Sequence, residues 1–382
     1  MKIANVVGVR PNFVKIAPLI KEMRRYADIE SILIHTGQHY DVRMAGQFFE
    51  DLQIPLPDVS LEVGSGSHAA QTSDVMKRIE SVFAEFAPDV VVVVGDVNST
   101  LAAALTAAKL QIPVAHVEAG LRSFDRTMPE EINRLVTDAI ADYLFVTEES
   151  GQQNLLREGV GEQKIFFVGN VMIDSLESSR ASWEKSLLHT RLGVERKQYG
   201  IVTLHRPSNV DDEGTLRGLL EALGEIAQQI PLIFPVHPRT RGRLQTLTGL
   251  RHPLWFGAEN LPAKGICCLE PVGYLDFMAL VAGARIVLTD SGGLQEETSA
   301  LGVPCLTLRA NTERPVTVTH GTNQLVGTVP QEITKAALST LSSVRTDFQV
   351  PPLWDGKAAQ RIVAILRDLP TRTPRRSSKG KS

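Results

Sequence analysis

The segment PDVVVVVGDVNST, residues 88–100, decides the fold of this chain. Its five consecutive valines are closed at once by Gly95-Asp96, so the run is far too short to cross a membrane. A strand that is apolar on both faces is typical of a parallel sheet covered by helices on both sides. The polar residues behind Asp96 are types that cap helices, so we expect the chain to turn from this strand directly into a helix.

Similar apolar runs, rich in valine and isoleucine, recur on both sides of this strand. They lie at residues 3–7, 31–35, 114–117, 144–147 and 166–168. Longer stretches with helical spacing separate them, for example residues 17–25 and 75–86. This alternation predicts a parallel sheet with crossover helices on both faces.

The same pattern restarts after a charged, irregular stretch at residues 178–197. The second group of strand-like runs lies at residues 200–204, 232–236, 266–269, 285–289 and 304–308. The sequence therefore predicts an α/β protein with two Rossmann-like, doubly wound domains facing a cleft, the default place for a ligand. We expect domains at residues 1–169 and 170–352, a helix at about 353–369 and a disordered basic tail at 370–382.

The composition is that of a globular protein, since 43% of the 382 residues are hydrophobic and 22% are charged. The formal net charge of -3 gives no reason to expect a nucleic acid as partner, so a small soluble ligand is the more natural target. No run of about 18 uncharged apolar residues occurs, and we expect no stable membrane insertion.

The cysteines and the first residues indicate a reducing, cytoplasmic location. Cys267, Cys268 and Cys305 show no CxxC spacing and fall in apolar runs that resemble buried strands. Met1-Lys2 leads straight into a strand-like run without a cleavage site. The histidines are scattered and no zinc motif is present, so we expect no metal site.

Charged groups follow the strands of the first half at their carboxyl ends, where doubly wound sheets bind ligands. Arg10 and Lys15 after the first strand would suit a phosphate-bearing ligand, although a chance pair of surface cations explains these two residues equally well. Asp96 is either a helix cap or a catalytic carboxylate. Glu118 ends the next strand, and two acids converging at one sheet edge favour proton-transfer chemistry. Glu130 adds a third acid, with a helix first turn as its structural alternative.

The second half repeats this arrangement. His205 and Arg206 stand side by side after a strand, an unusual place for a purely structural histidine. His237 follows another strand, where packing or capping is an equal alternative to ligand contact.

The sharpest local pattern is DSGGLQEE at residues 290–297, where a strand is followed by glycines and a helix. Free N–H groups at such a helix start, together with Ser291, Gly292 and Gly293, would form an anion cradle for a diphosphate. Glu297 one turn later could accept ribose hydroxyls, and the nearby Arg314 would supply the counter-charge. A mere strand-to-helix turn would explain the glycines but not Arg314.

Taken in order, these motifs closely resemble the non-hydrolysing UDP-N-acetylglucosamine 2-epimerase family. They are GVRP at 8–11 with Lys15, TGQH at 36–39, GD at 95–96, HVEAGLR at 116–122, PEEINR at 129–134, HR at 205–206, DSGGLQEE at 290–297 and TERP at 312–315. Each motif alone is weak, whereas the ordered set covers nearly the whole chain and is highly specific.

The resemblance implies a fold similar to GT-B glycosyltransferases, a homodimer, and a C-terminal helix that packs back on the first domain. It also implies that UDP is eliminated to a 2-acetamidoglucal and re-added with C2 inverted, without a cofactor. It assigns catalysis to Asp96, Glu118, Glu130 and His205. It assigns UDP-sugar binding to Arg10, Lys15, Phe277, Ser291, Gly292, Glu297 and Arg314, with Phe277 on the uracil side. The strand-end positions add Arg206, His237 and Gly293 as further candidate binding residues.

Two departures from the family pattern leave the sugar open. Family members commonly carry Glu at the position of Asn12, and His-Arg-Arg-Glu-Asn or similar where residues 205–209 read HRPSN. UDP-GlcNAc is the first expectation for the substrate, with a modified donor such as UDP-2,3-diacetamido-glucuronate as the alternative. A GT-B glycosyltransferase, a hydrolysing epimerase and a non-catalytic UDP-sugar-binding protein are the other functions that this fold admits.

Overall fold

The computed structural model describes residues 1–37, 52, 54–257, 261–343 and 348–370. The described chain forms two parallel seven-stranded sheets, one from each half. In the first sheet the strand order is β3-β2-β1-β4-β5-β6-β7. Its strands are β1 (Lys2–Val7), β2 (Glu30–His35), β3 (Val59–Ser60), β4 (Val90–Val94), β5 (Val114–Ala119), β6 (Tyr143–Val146) and β7 (Ile165–Phe167).

The second sheet has a related but not identical order, β10-β11-β9-β8-β12-β13-β14, in which β10 lies outside β11 at one edge. Its strands are β8 (Gly200–Thr203), β9 (Leu232–Pro235), β10 (Leu254–Phe256), β11 (Ile266–Leu269), β12 (Ile286–Thr289), β13 (Cys305–Thr307) and β14 (Asn323–Leu325). The two Rossmann-like, doubly wound halves predicted from the sequence are confirmed.

Helices connect the strands and cover both faces of each sheet. The first of them along the chain are α1 (Arg10–Met23), α2 (His68–Phe86), α3 (Asn98–Lys109), α4 (Pro129–Ile140), α5 (Glu149–Arg157), a 3-10 turn (Glu162–Lys164) and α6 (Val171–Ser178). The remainder are α7 (Arg180–Trp183), α8 (Leu188–Arg191), α9 (Pro207–Val210), α10 (Glu213–Ile226), α11 (Pro238–Thr246), α12 (Tyr274–Gly283), α13 (Gly292–Leu301), α14 (Val316–Thr319), α15 (Pro330–Ser342) and α16 (Ala358–Arg367). In the described residues no helix is long and apolar enough to span a bilayer.

The central strand β4 has the environment that its sequence predicts, because all five valines are buried and β1 and β5 pair on either side. The structure also contains three strands that the apolar runs did not predict, namely β3, β10 and β14. All three lie at sheet edges. The stretch 178–197, expected to be irregular, contains the short helices α7 and α8.

The last helix, α16, packs against α1 and α6, and so returns to the first half of the chain. Its first turn is capped by Asp174 of α6, whose carboxylate accepts the backbone N–H groups of Ala358 at 3.1 Å and Ala359 at 2.7 Å. Burial raises the pKa of the Asp174 carboxyl to about 6. The start of α16 is thus held against α6 by a buried polar contact.

Candidate functional site

Glu118 has an unusual backbone conformation at the carboxyl end of β5. Its φ of 76° lies in the left-handed region, which is uncommon for a residue other than glycine. The pairing of β5 with β6 shifts register between Val117 and Ala119, so Glu118 is the extra residue of a bulge. Bulges re-aim side chains and such strain is concentrated at functional sites, which makes Glu118 the best-marked residue at this sheet edge.

Two cations from different halves of the chain hold the Glu118 carboxylate. Lys15 of α1 forms an ion pair with Oε2 of Glu118, and Arg314 donates from Nη2 to Oε1 at 2.6 Å. All three side chains are almost fully buried. Gly95 makes room for this arrangement, since a Cβ at this position would lie 2.9 Å from Nζ of Lys15. The φ of Gly95 is 69°, a conformation that favours glycine. The two halves of the chain therefore contact each other at one buried cluster of charged side chains.

Arg314 is surrounded by carboxylates. Besides Glu118, its guanidinium pairs with Glu296 of α13 at 2.8 Å and with the neighbouring Glu313. Burial raises the pKa of the Glu313 carboxyl, but Arg314 and Arg309 outweigh this effect and hold it well below its usual range. For Glu296 the balance is reversed, because burial and the charge of Glu118 raise its pKa against the effect of Arg314.

Asp96 lies at the end of β4 beside a second buried arginine. Arg134 of α4 donates to Oδ2 of Asp96 at 2.5 Å and to Oε2 of Glu131 at 2.6 Å. Burial raises the pKa of Asp96, but Arg134, Lys15 and Arg314 outweigh it, so the carboxyl titrates below its ordinary range. The Asp96 side chain remains 25% exposed, which leaves the carboxylate accessible from the cleft.

Glu130 and Arg206 approach each other across the two halves. Nη1 of Arg206 lies 4.0 Å from Oε1 of Glu130, and its Nη2 lies 3.9 Å from Oε1 of Glu313. Arg206 is partly exposed and neither contact is a close hydrogen bond. These two groups are therefore freer to exchange partners for a ligand than the buried Arg314 is.

His205 is held from one side by the fully buried Asp290. Nδ1 of His205 lies 2.8 Å from Oδ1 of Asp290, and the His205 side chain is 40% exposed. The ring of His237 stands 6.1 Å from that of His205, so the two predicted histidines are neighbours.

Helix α13 begins at Gly292 with Ser291 at its N-cap, and no side chain caps its first N–H groups. Gly292 lies against the Arg314 cluster, since a Cβ there would come within 2.5 Å of Nη1 of Arg314. Farther along this helix, the hydroxyl of Tyr274 donates to Oε1 of Glu297 at 3.3 Å. Burial, together with the charge of Glu296, raises the pKa of Glu297 to about 8.

This geometry brings acids and cations from both halves of the chain to the carboxyl ends of the two sheets, where doubly wound proteins bind ligands. A sequence model of the family described as UDP-N-acetylglucosamine 2-epimerase matches residues 21–367. The chain belongs to this family.

Relatives at full length agree with this assignment. The UDP-N-acetylglucosamine 2-epimerase of Methanocaldococcus jannaschii is 44% identical over 372 residues, which is 96% of this chain and 99% of the relative. The UDP-2,3-diacetamido-2,3-dideoxy-D-glucuronate 2-epimerase of Pseudomonas aeruginosa is 39% identical, covering 97% of this chain and all of the relative. The crystal structure of the M. jannaschii enzyme in complex with UDP-GlcNAc and UDP superposes with a TM-score of 0.85 at 43% identity, over 96% and 99% of the two chains. The protein is thus an isomerase with the GT-B-like two-domain fold of UDP-GlcNAc 2-epimerases.

The structure brings most of the predicted site residues close together. The connected or neighbouring ones are Lys15, Asp96, Glu118, Glu130, His205, Arg206, His237, Gly292 and Arg314. Phe277 is only half-buried on α12 and packs against the core, without a described contact to these groups. The side chain of Arg10 and residues 38–39 of the TGQH motif lie outside what the structure describes.

Acids and cations reach the site from both halves of the chain. Lys15 and Arg134 come from the first half, whereas Glu296 and Glu313 come from the second. The acids and cations are paired with one another, because a buried charge must be compensated.

Asn12, where family members commonly carry Glu, has a local structural role. Its Oδ1 accepts the backbone N–H groups of Gly8 and Val9 at 3.2 Å, and its Nδ2 donates to the carbonyl of Val94 at 2.9 Å. The amide thereby joins the ends of β1 and β4. A carboxylate could not donate to Val94, so the departure is explained by this link.

Proposed function

We propose that this epimerase interconverts UDP-GlcNAc and UDP-ManNAc by eliminating UDP to a 2-acetamidoglucal and adding it back with C2 inverted. The observation that carries the proposal is the pair of carboxylates, Asp96 and Glu118, at the ends of the neighbouring strands β4 and β5. Each is held by a buried cation, Arg134 or Lys15. The M. jannaschii relative whose complex contains UDP-GlcNAc and UDP supports this choice of ligand.

The chemistry requires both acid–base groups and cations. In the elimination the C2–H and C1–O bonds break, a C1=C2 double bond forms, the proton passes to a protein base and UDP leaves with the electron pair. C2–H is not acidic, so its removal must be coupled to departure of a diphosphate that cations stabilise. Asp96, Glu118, Glu130 and His205 are the proposed acid–base groups. Re-addition delivers the proton to the opposite face of C2.

The UDP moiety is assigned to the second half of the chain. The uncapped N–H groups at the start of α13, with Ser291, Gly292 and Gly293, suit the diphosphate, and Glu297 is assigned to the ribose. Phe277 and His237 would complete this half of the site. Arg10, Lys15, Arg206 and Arg314 are the proposed cations, of which Arg314 must exchange a carboxylate for the diphosphate to reach it.

NMR spectroscopy of the purified protein with UDP-GlcNAc in D2O tests the proposal. Deuterium at C2 together with UDP-ManNAc signals is the expected result. Free ManNAc with UDP would instead identify a hydrolysing enzyme, and UDP-ManNAc without deuterium would contradict removal of the C2 proton.

UDP-2,3-diacetamido-glucuronate is the second candidate substrate. One observation favours it, the 39% identical P. aeruginosa relative. The loosely paired Arg206 is the cation in the described cleft that a C6 carboxylate could engage at least cost. Turnover of each donor alone, followed by the same deuterium assay, decides between them.

We further propose a domain division at residues 1–169 and 170–352, with residues 353–369 returning to the first domain. Membership of the two sheets and the packing of α16 on α1 support it.

The resemblance to the epimerase family suggests a homodimer, and light scattering on the protein as it elutes from a sizing column would measure its molar mass. The described cysteines are all buried free thiols, in keeping with a proposed cytoplasmic location, and labelling of the cell fractions would test that.

A further inference from the structure

Asp290, at the end of β12, is a buried carboxylate beside the cleft that accepts several hydrogen bonds, and no role has been assigned to it so far. Its Oδ2 accepts the backbone N–H groups of His205 at 3.0 Å and Arg206 at 2.9 Å, and Nδ2 of Asn209 at 3.2 Å. Its Oδ1 faces Nδ1 of His205 at 2.8 Å. The carboxylate is 0% exposed, so water does not compete for these positions.

The two oxygens of Asp290 have different tasks. Three N–H donors fix Oδ2, whereas the main partner of Oδ1 is the imidazole of His205. The backbone N–H of His205 also lies 3.2 Å from Oδ1. Burial raises the pKa of Asp290, but the hydrogen bonds and charge of His205 and the backbone N–H groups outweigh it and keep the pKa below its usual value. An ionised carboxylate only accepts hydrogen bonds, so Nδ1 of His205 must carry a hydrogen.

We infer that Asp290 is a positioning residue that holds the His205 ring, whenever it is neutral, in the Nδ1–H tautomer and leaves Nε2 as the proton acceptor. The functional part of this inference rests on the proposed epimerisation. A proton taken up at Nε2 leaves the Nδ1–H bond to Asp290 in place, and the resulting imidazolium stays paired with a buried carboxylate. His205 can thus take a proton from the substrate and present a positive charge to the leaving diphosphate in the same event.

The variant Asp290→Asn tests this inference sharply. The three N–H donors around Oδ2 will keep the amide oxygen at that position, so the amide NH2 replaces Oδ1 and donates to Nδ1 of His205. His205 must then carry its hydrogen on Nε2, the opposite tautomer, and can no longer accept a proton from the cleft.

Long-range 1H–15N correlation spectra of 15N-histidine-labelled protein report the tautomer directly, with His205 assigned from the signal lost in His205→Gln. In the wild type we expect Nδ1 to be protonated above the pH at which the ring becomes neutral. In Asp290→Asn we expect Nε2 to be protonated and kcat to fall at least tenfold, with UDP affinity retained. Asp89→Asn makes the same change of residue type at the far end of β4, where Asp89 accepts the backbone N–H of Lys2, and should keep both the tautomer and kcat near wild type.

A wild-type His205 protonated at Nε2 would overturn the inference even if Asp290→Asn does not fold. An inverted His205 tautomer in Asp290→Asn with an unchanged kcat would show that Asp290 has no positioning role in the reaction. Both spectra are recorded without substrate, so a protein that fails to epimerise either UDP-sugar still yields the tautomer, and failure of the proposed reaction is distinguished from failure of this inference.

Discussion

Arg314 and Glu118 lie 196 residues apart in the sequence, yet Nη2 of Arg314 donates to Oε1 of Glu118 at 2.6 Å. The bond joins the end of a strand in the first sheet to the loop before α14 in the second half. Because Glu118 is also the positive-φ residue of the β5 bulge, this contact ties the second half of the chain to the position of a proposed catalytic acid.

Replacement of Arg314 by Met should destabilise the protein by about 3–5 kcal/mol, because Glu118, Glu296 and Glu313 would lose the cation that compensates them. Urea unfolding at constant pH measures the change. Arg217→Met is the matched control, since Arg217 pairs with Glu213 on the surface of α10 and should cost at most about 1 kcal/mol. Equal losses for the two variants would contradict the buried cluster as described.

The neighbouring residues Gly292 and Gly293 should respond oppositely to alanine. A Cβ at Gly292 would lie 2.5 Å from Nη1 of Arg314 and 2.8 Å from Oε1 of Glu313, which are held by other ion pairs and cannot yield easily. A Cβ at Gly293 would meet only Cε of the flexible Met172, at 3.5 Å.

We therefore expect Gly292→Ala to lose about 1–3 kcal/mol of unfolding free energy. Gly293→Ala should gain up to about 1 kcal/mol from the better helix propensity of alanine. Thermal or urea unfolding of both proteins, without ligand, gives the comparison. A stable Gly292→Ala protein would show that the Arg314 cluster is looser than the distances indicate.

Glu297 should make the protein less stable as the pH rises. Its pKa is about 8 in the folded protein against 4.5 for an ordinary Glu, so between these values the folded state binds the proton more tightly than the unfolded state. The unfolding free energy consequently falls between about pH 4.5 and pH 8. Glu297→Gln, which imitates the neutral acid, should match the wild type near pH 5 and exceed it by a few kcal/mol at pH 8.5.

The measurement is urea unfolding of wild type and Glu297→Gln at both pH values. The difference in unfolding free energy between the two proteins isolates Glu297, because other buried acids such as Glu148 and Asp174 are present in both. Glu332→Gln, on the exposed side of α15, should show no such difference. If wild type and Glu297→Gln lose stability in parallel as the pH rises, Glu297 is ionised throughout and its assigned environment is wrong.

The sequence predicted the centres of both sheets because continuous runs such as 90–94 are buried on both faces and leave no other interpretation. It did not predict the edge strands β3, β10 and β14, which have only two or three residues and one neighbouring strand each. In β10, Trp255 and Phe256 are half-exposed, so no buried pattern marks them.

The site was predicted in part for a similar reason. Residues at strand ends, such as Asp96, Glu118 and His205, can be found from strand positions alone. Their partners cannot, because the pairing of Arg134 with Asp96 or of Asp290 with His205 depends on distances between elements far apart in sequence. The positive φ of Glu118 also leaves no signal in its residue type.

Asp96 offers the cleanest test of the proposed acid–base chemistry. Its carboxylate makes one strong contact, with Arg134, and the oxygen of Asn can keep that hydrogen bond, so Asp96→Asn should fold normally. The proposed UDP cradle is on the other sheet. We therefore expect turnover to fall by a factor on the order of 10³, while the dissociation constant for UDP from calorimetry stays within about threefold.

Asp89→Asn provides the control at the opposite end of the same strand, where Asp89 accepts the backbone N–H of Lys2 at 2.7 Å. This variant should retain both turnover and UDP affinity, because the amino end of β4 faces away from the cleft. Glu118→Gln should also abolish turnover, but with a loss of stability that Asp96→Asn does not share, since Lys15 and Arg314 both depend on Glu118. A loss of UDP affinity in Asp96→Asn with its turnover intact at saturating substrate would assign Asp96 to binding and leave the C2 proton to another group.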